Sequence, residues 1–154
     1  MKIRKLNPTE TDKFIDLIRI FETVFEMENF NIPPKSHLSK VLEMKNFMVW
    51  VTEKDQEVLG GMTAYTLDQY YSQKPLAYLY DLGVRPDFQR QGIGKALISG
   101  FTDHCFKNGF EEVFVQAEPE DIGAVEFYRA TGAVEKEALQ FSYFLKQVFL
   151  NQKK

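Results

Sequence analysis

A single cysteine, Cys105, in a chain of 154 residues excludes an internal disulfide and any zinc centre built on several thiolates. The two histidines, His37 and His104, have no metal-ligand spacing and read as surface residues, so no metal is expected. No apolar run approaches the roughly 20 residues of a membrane span, and the N-terminus lacks the apolar stretch of a secretory signal. The net charge of -3 leaves no overall footprint for nucleic acid or an anionic membrane surface. Repeats, low-complexity tracts and linkers are missing as well. These absences describe one soluble, cytoplasmic domain over residues 1–150, with neither nucleic acid nor membrane as partner. What is present is ordinary for a globular chain, 44% hydrophobic and 27% charged.

The periodicities predict a mixed α/β unit. Residues 1–6 alternate as a short strand. Thr9 then reads as a helix N-cap with Asp12 three residues on, and Phe14, Leu17, Ile18, Phe21, Val24 and Phe25 follow at helical spacing. Pro33-Pro34 closes that region before a second helix over 35–44. Residues 47–52 and 58–70 form a hairpin around Asp55-Gln56-Glu57, and 76–84 is apolar on both faces, as a central strand is. A helix over 92–107 buries Leu97, Ile98, Phe101 and Cys105 and stops at Asn108-Gly109. A strand over 112–117, a helix over 122–131 and a last strand over 139–145 complete the order β-α-α-β-β-β-α-β-α-β. Tyr65, Tyr70 and Tyr71 read as strand packing, and Cys105 as core.

The stretch "DFQRQGIGKALISGF" (87–101) puts glycines and polar residues at the mouth of a helix, where uncovered backbone N–H groups suit an anion. It is not a nucleoside-triphosphate loop: Gln89 stands where the first glycine belongs and Ala96 where the magnesium hydroxyl belongs. Nor is it a dinucleotide fingerprint, since Leu97 takes the last small position and no initial βαβ unit surrounds it. What remains is Gln89-x-x-Gly92-x-Gly94 after a central strand. This resembles the acetyl-CoA loop of the GCN5-related N-acetyltransferase (GNAT) superfamily, and the stretch Ala124 to Ala133, with Phe127, Tyr128 and Gly132, resembles a second motif of the same superfamily. The resemblance covers about residues 2–148. Within the superfamily "YLYDLGV" (78–84), "RQGIGKALI" (90–98), "VFVQAEPED" (113–121) and "AVEFYRATG" (124–132) are most similar to type I aminoglycoside 3-N-acetyltransferases.

The resemblance implies the superfamily fold, a central mixed and mostly antiparallel sheet flanked by helices. It implies acetyl-CoA as cosubstrate and a small-molecule amine as acceptor, with an aminoglycoside 3-amino group first. Dimers are common in the superfamily, so a homodimer is within its scope. By the same resemblance the backbone from Gln89 through Arg90, Gln91, Gly92, Ile93 and Gly94 to Lys95 holds the pyrophosphate. Leu82, Gly83 and Val84 hold the pantetheine, the Leu82 N–H polarises the thioester carbonyl, and Tyr128 protonates the departing thiolate.

Acetylation needs a neutral amine, so a base is expected. Asp81 is the first candidate, a carboxylate in an apolar strand whose parity matches Leu79 and Gly83; Glu118 is the second. Glu22, Glu26, Glu28, Asp68, Glu118, Glu120 and Asp121 could line an acidic cleft for a cationic substrate. Asp121 stands where many superfamily members have Asn, and helix capping is its other reading. Plainer readings stay open for the rest. Gly92 and Gly94 suit any strand-to-helix turn, Tyr128 a core beside Phe127, Asp81 a strand end and Glu118 a solvated loop. At the level of function, acetylation of a polyamine or an amino-sugar metabolite, or a catalytically silent CoA-binding regulatory module, are the alternatives.

Overall fold

Turn chemistry and alternation build the sheet. In the computed structural model, which describes residues 1–146, the strands are β1 (Lys2–Lys5), β2 (Phe47–Lys54), β3 (Glu57–Leu67), β4 (Leu76–Val84) and β5 (Glu112–Val115), and the helices are α1 (Thr11–Val24), α2 (Lys35–Glu43), α3 (Ile93–Lys107) and α4 (Ile122–Ala130). The strands lie in the order β1-β2-β3-β4-β5. The first three pairings are antiparallel and β4 with β5 is parallel, giving the mixed, mostly antiparallel sheet expected. Asp55 (φ 51°) and Gln56 (φ 66°) form the two-residue turn between β2 and β3, both in the left-handed conformation that matches strand twist.

Both sheet faces are covered, which explains the nearly unbroken burial of β2. Leu17, Phe21, Leu38, Val49 and Val51 pack one face under α1 and α2. Met62, Leu79, Leu97 and Phe101 pack the other under α3. A charged clamp ties β1, β2 and the start of α1 together: Arg4 donates to Glu10 (2.8 Å) and Glu53 (3.0 Å), and Lys13 pairs with Glu53 (3.0 Å).

Four expectations need correction. Thr9 is not the N-cap: α1 begins at Thr11, which is buried and hydrogen-bonds Ser39 (2.9 Å), while Glu10 at the cap position turns to Arg4 and to the Asn7 N–H. β3 ends at Leu67, leaving Tyr70 and Tyr71 in an exposed loop instead of strand packing. His104 is not a surface residue; it is half-buried with its ring against Trp50, and burial and Lys5 lower its pKa. The last strand, over 139–145, does not form; the chain from 133 to 146 is irregular and exposed. The expected domain end at residue 150 lies outside the described residues.

Candidate active site

A wedge opens in the sheet between β4 and β5. The two strands pair only from Leu76 with Glu112 to Leu79 with Val115, whereas β3 follows β4 all the way to Val84. Leu82, Gly83 and Val84 therefore stand beyond the end of β5. The splay begins where the β3–β4 register shifts, with Thr63 opposite Asp81 but Ala64 opposite Leu79, so that Tyr80 is the extra residue of a bulge. The bulge overturns the expected parity of Asp81 with Leu79. Leu79 packs in the core under α3, whereas Gly83, two residues past Asp81, faces α1. Gly83 lies past the bulge. A Cβ there would lie 3.0 Å from the Phe21 ring, so its glycine admits α1.

The loop from Gln89 to Lys95 borders the wedge. Gln89 does not point outward; its Nε2 donates to the Val84 carbonyl (2.9 Å) and pins the loop to the end of β4. Arg90 (φ 61°) and Gly92 (φ 83°) both adopt left-handed backbone, and Gly92 opens α3 as its N-cap. Among the described residues the N–H groups of Arg90 through Lys95 have no acceptor. Together with the helix dipole they form a concave array suited to an anion. Space beside Gly92 is open, whereas a Cβ on Gly94 would meet the Phe127 ring at 3.0 Å. Gly94 thus serves the packing of α4 on α3, a role that its place in the loop motif does not reveal.

α4 carries Tyr128 across the wedge. Burial pushes the Tyr128 phenol up to about 12, with the Asp81 and Asp121 charges adding to it. Asp81 also acts on Tyr65 and Tyr78, whose pKa values are raised first by burial, then by Tyr80 and Asp81. Rings of Tyr65 and Tyr80 meet edge-on at 5.8 Å, those of Tyr78 and Tyr80 at 5.7 Å, and Tyr78 stacks on Phe114 at 4.7 Å. The result is an aromatic lining around one carboxylate, a combination that attracts ammonium groups by charge and by ring quadrupole. Tyr78 and Tyr80 were not singled out in the sequence; two tyrosines two positions apart just before Asp81 were the available signal.

The other acids divide. Asp121 caps α4, its Oδ1 accepting from the Ala124 N–H (3.1 Å). Glu118 is exposed on the loop between β5 and α4, and the charges acting on Tyr128 are Asp81 and Asp121. Glu26 and Glu28 are exposed on the connection after α1, which leaves from where Phe21 and Val24 cover Gly83. Glu22 pairs with Arg19 (2.9 Å). Cys105 is buried on the inner face of α3, as expected, and burial raises its thiol to about 11. No group of three or more potential metal-ligating side chains exists among the described residues.

A strand wedge beside a donor-rich helix mouth invites comparison with known acetyltransferases. The family model described as "Acetyltransferase (GNAT) family" matches residues 14–133. The chain belongs to this family. Among solved structures it is similar to an aminoglycoside acetyltransferase from an uncultured soil metagenomic sample, solved in complex with trehalose. Identity is 51%, the match covers 94% of this chain and 96% of that one, and the TM-score is 0.92. A match of this extent takes in the segment after α4. The same enzyme has also been solved in complex with sisomicin. Among curated proteins, the [ribosomal protein bS18]-alanine N-acetyltransferase of Escherichia coli K12 is 30% identical over 73 residues, 47% of this chain and 48% of that protein. The chain spans about half the length of that curated relative. No helix among the described residues is long and apolar enough to cross a membrane.

Proposed function

We propose that this GNAT protein transfers the acetyl group of acetyl-CoA to an amine of an aminoglycoside. The observation that carries the reading is the wedge itself, with an anion-binding loop on one border and the Asp81–Tyr128 pair across its mouth. Half-identity to an aminoglycoside acetyltransferase over nearly the full length of both chains supports the acceptor class.

The chain's residues divide the work as follows. N–H groups of Arg90 to Lys95 hold the pyrophosphate, and the backbone of Leu82 to Val84 holds the pantetheine beside β4. The Leu82 N–H donates to the thioester oxygen as charge develops there. Asp81 takes the proton that the attacking ammonium must lose, directly or through water. The amine nitrogen then bonds to the carbonyl carbon, the C–S bond breaks, and the Tyr128 O–H gives its proton to the departing sulfur. The second proton of the acylated nitrogen passes through water to the Tyr128 oxygen, leaving a neutral amide and phenol. Tyr65, Tyr78 and Tyr80 line the approach for a polycation. Glu26 and Glu28, with Asp121 behind its cap, add negative potential at the rim.

For the position acetylated we propose the 3-amino group, on the likeness of the four sequence stretches to type I 3-N-acetyltransferases. Turnover of acetyl-CoA against a panel of aminoglycosides, polyamines and peptides, with the product assigned by NMR, tests both levels. Turnover with polyamines or peptides alone overturns the acceptor, and acetylation at any other amine overturns the position. Binding of CoA with no turnover on the whole panel points to a silent regulatory module.

A further inference from the structure

Asp81 and the tyrosines around it do not tell one amine from another. A carboxylate and aromatic faces attract any ammonium, whether it sits on a sugar ring or on a plain alkyl chain. The edge of that lining holds a group of a different kind. Gln116 is the first residue past the end of β5, and the Tyr78 hydroxyl donates to its Oε1 at 2.8 Å.

Both partners are placed by the sheet. Tyr78 stands directly opposite Phe114 in the parallel pairing, and Gln116 follows Phe114 by two residues, the period of one strand face. Leu79, Val113 and Val115 pack toward α3, so Tyr78, Phe114 and Gln116 lie on the other face. The Tyr78 ring is fixed from two sides, stacked on Phe114 at 4.7 Å with planes 6° apart and edge-on to Tyr80 at 5.7 Å. A ring held in this way holds its hydroxyl, and the hydroxyl holds the carboxamide. With Oε1 engaged, the Gln116 side chain presents chiefly its Nε2 donors, and it is exposed where β5 leaves β4. Pairing ends at Leu79 with Val115, so the next step sets Gln116 level with Tyr80, the residue before Asp81.

We propose that Gln116, oriented by Tyr78, is a specificity residue that reads an oxygen of the acceptor and so favours amino alcohols and amino sugars over oxygen-free polyamines. The inference rests on the amine-acetylating reading of the wedge. An ammonium is all donor and no acceptor, so against the Nε2 N–H groups it sets donor to donor. A hydroxyl or ether oxygen near the reacting amine accepts from them. Asp81 meets the amine and Gln116 the oxygen, a two-point contact that a linear polyamine lacks. Exposure holds the effect to about tenfold, the worth of one net hydrogen bond. A mere tie between two strand ends would affect every acceptor alike.

The test follows acetylation of sisomicin by the full chain and adds two competing probes. One is 2-deoxystreptamine; the other is cis-1,3-diaminocyclohexane, which has the same ring and amine spacing and no oxygen. The ratio of their inhibition constants, compared between parent and variant, cancels the difference in amine basicity. The preference for deoxystreptamine should shrink about tenfold in Gln116→Met. It should shrink less in Tyr78→Phe, which frees the carboxamide to turn. A ratio unmoved in both variants, including one where both constants rise in step, overturns the role of Gln116 and leaves the acceptor class standing. Sisomicin left unacetylated by the parent overturns the acceptor class, and the role of Gln116 with it. Should Gln116→Met lose its native circular dichroism, Tyr78→Phe decides.

Discussion

At the scale of single residues, the glycines of the loop separate by what surrounds them. Gly92 sits at φ 83° with open space beside it, so its need is conformational, and a branched side chain there strains the N–H array. Gly92→Val is expected to raise the acetyl-CoA dissociation constant at least tenfold, about 1.4 kcal/mol, in a calorimetric titration. Unchanged affinity in the folded variant removes the loop from the cofactor site. Gly94→Ala acts differently, because the new methyl pushes Phe127 and with it α4. Tyr128→Phe deletes only the O–H and should lower kcat by roughly 10²–10⁴ where chemistry limits turnover, with cofactor affinity nearly intact. Asp81→Asn should lose turnover at neutral pH and regain part of it as the pH approaches the pKa of the substrate amine. Glu118→Gln, whose carboxylate stands outside the charges acting on Tyr128, should keep the parental profile. The reverse pair of results makes Glu118 the base.

At the scale of elements, the Arg4 clamp joins β1, β2 and the start of α1, and its energetics follow from charge. Glu10 and Glu53 both have lowered pKa values, with the hydrogen bonds from Arg4 as the first cause. A lowered carboxylate pKa contributes stability that is present above the unfolded value, roughly 4.3, and lost as the pH falls through the folded value. Arg4→Met leaves both carboxylates covered with one partner fewer. It should cost about 2–4 kcal/mol at pH 7, between a partly exposed and a buried pair, and much less at pH 3. Denaturant unfolding at the two pH values measures the difference; equal losses at both mean that Arg4 acts through packing alone.

For the whole molecule, the two strongly raised groups set the alkaline edge. Cys105 is raised to about 11 and Tyr128 to about 12, both by burial first. A raised folded pKa contributes stability that is complete below the unfolded value and is lost as the pH climbs through the folded one. Thermal stability should therefore hold to roughly pH 8.5, the ordinary thiol value, and decline above it. Cys105→Ala should move the onset of that decline towards pH 10, where the tyrosine begins to contribute. An unmoved onset means that Cys105 is not the group responsible.

The chain's pattern alone determined much of this protein. Helical spacing located α1 and α3, alternation and turn residues located the hairpin, and two spaced motifs announced the family and the order of its elements. Such features are local: each depends on neighbours a few residues away and on backbone preferences that sequence states directly. Other features were decided only in three dimensions. The bulge at Tyr80 turned Asp81 away from the face of Leu79, because a one-residue insertion flips side-chain parity and appears only when β3 is laid against β4. Gly83 and Gly94 answer to Phe21 and Phe127, residues 62 and 33 positions away in the chain. The last strand was written in the alternation of residues 139–145 and did not form, since alternation states which face a strand would bury and not whether it pairs. The pattern lies within the segment; pairing is decided between segments.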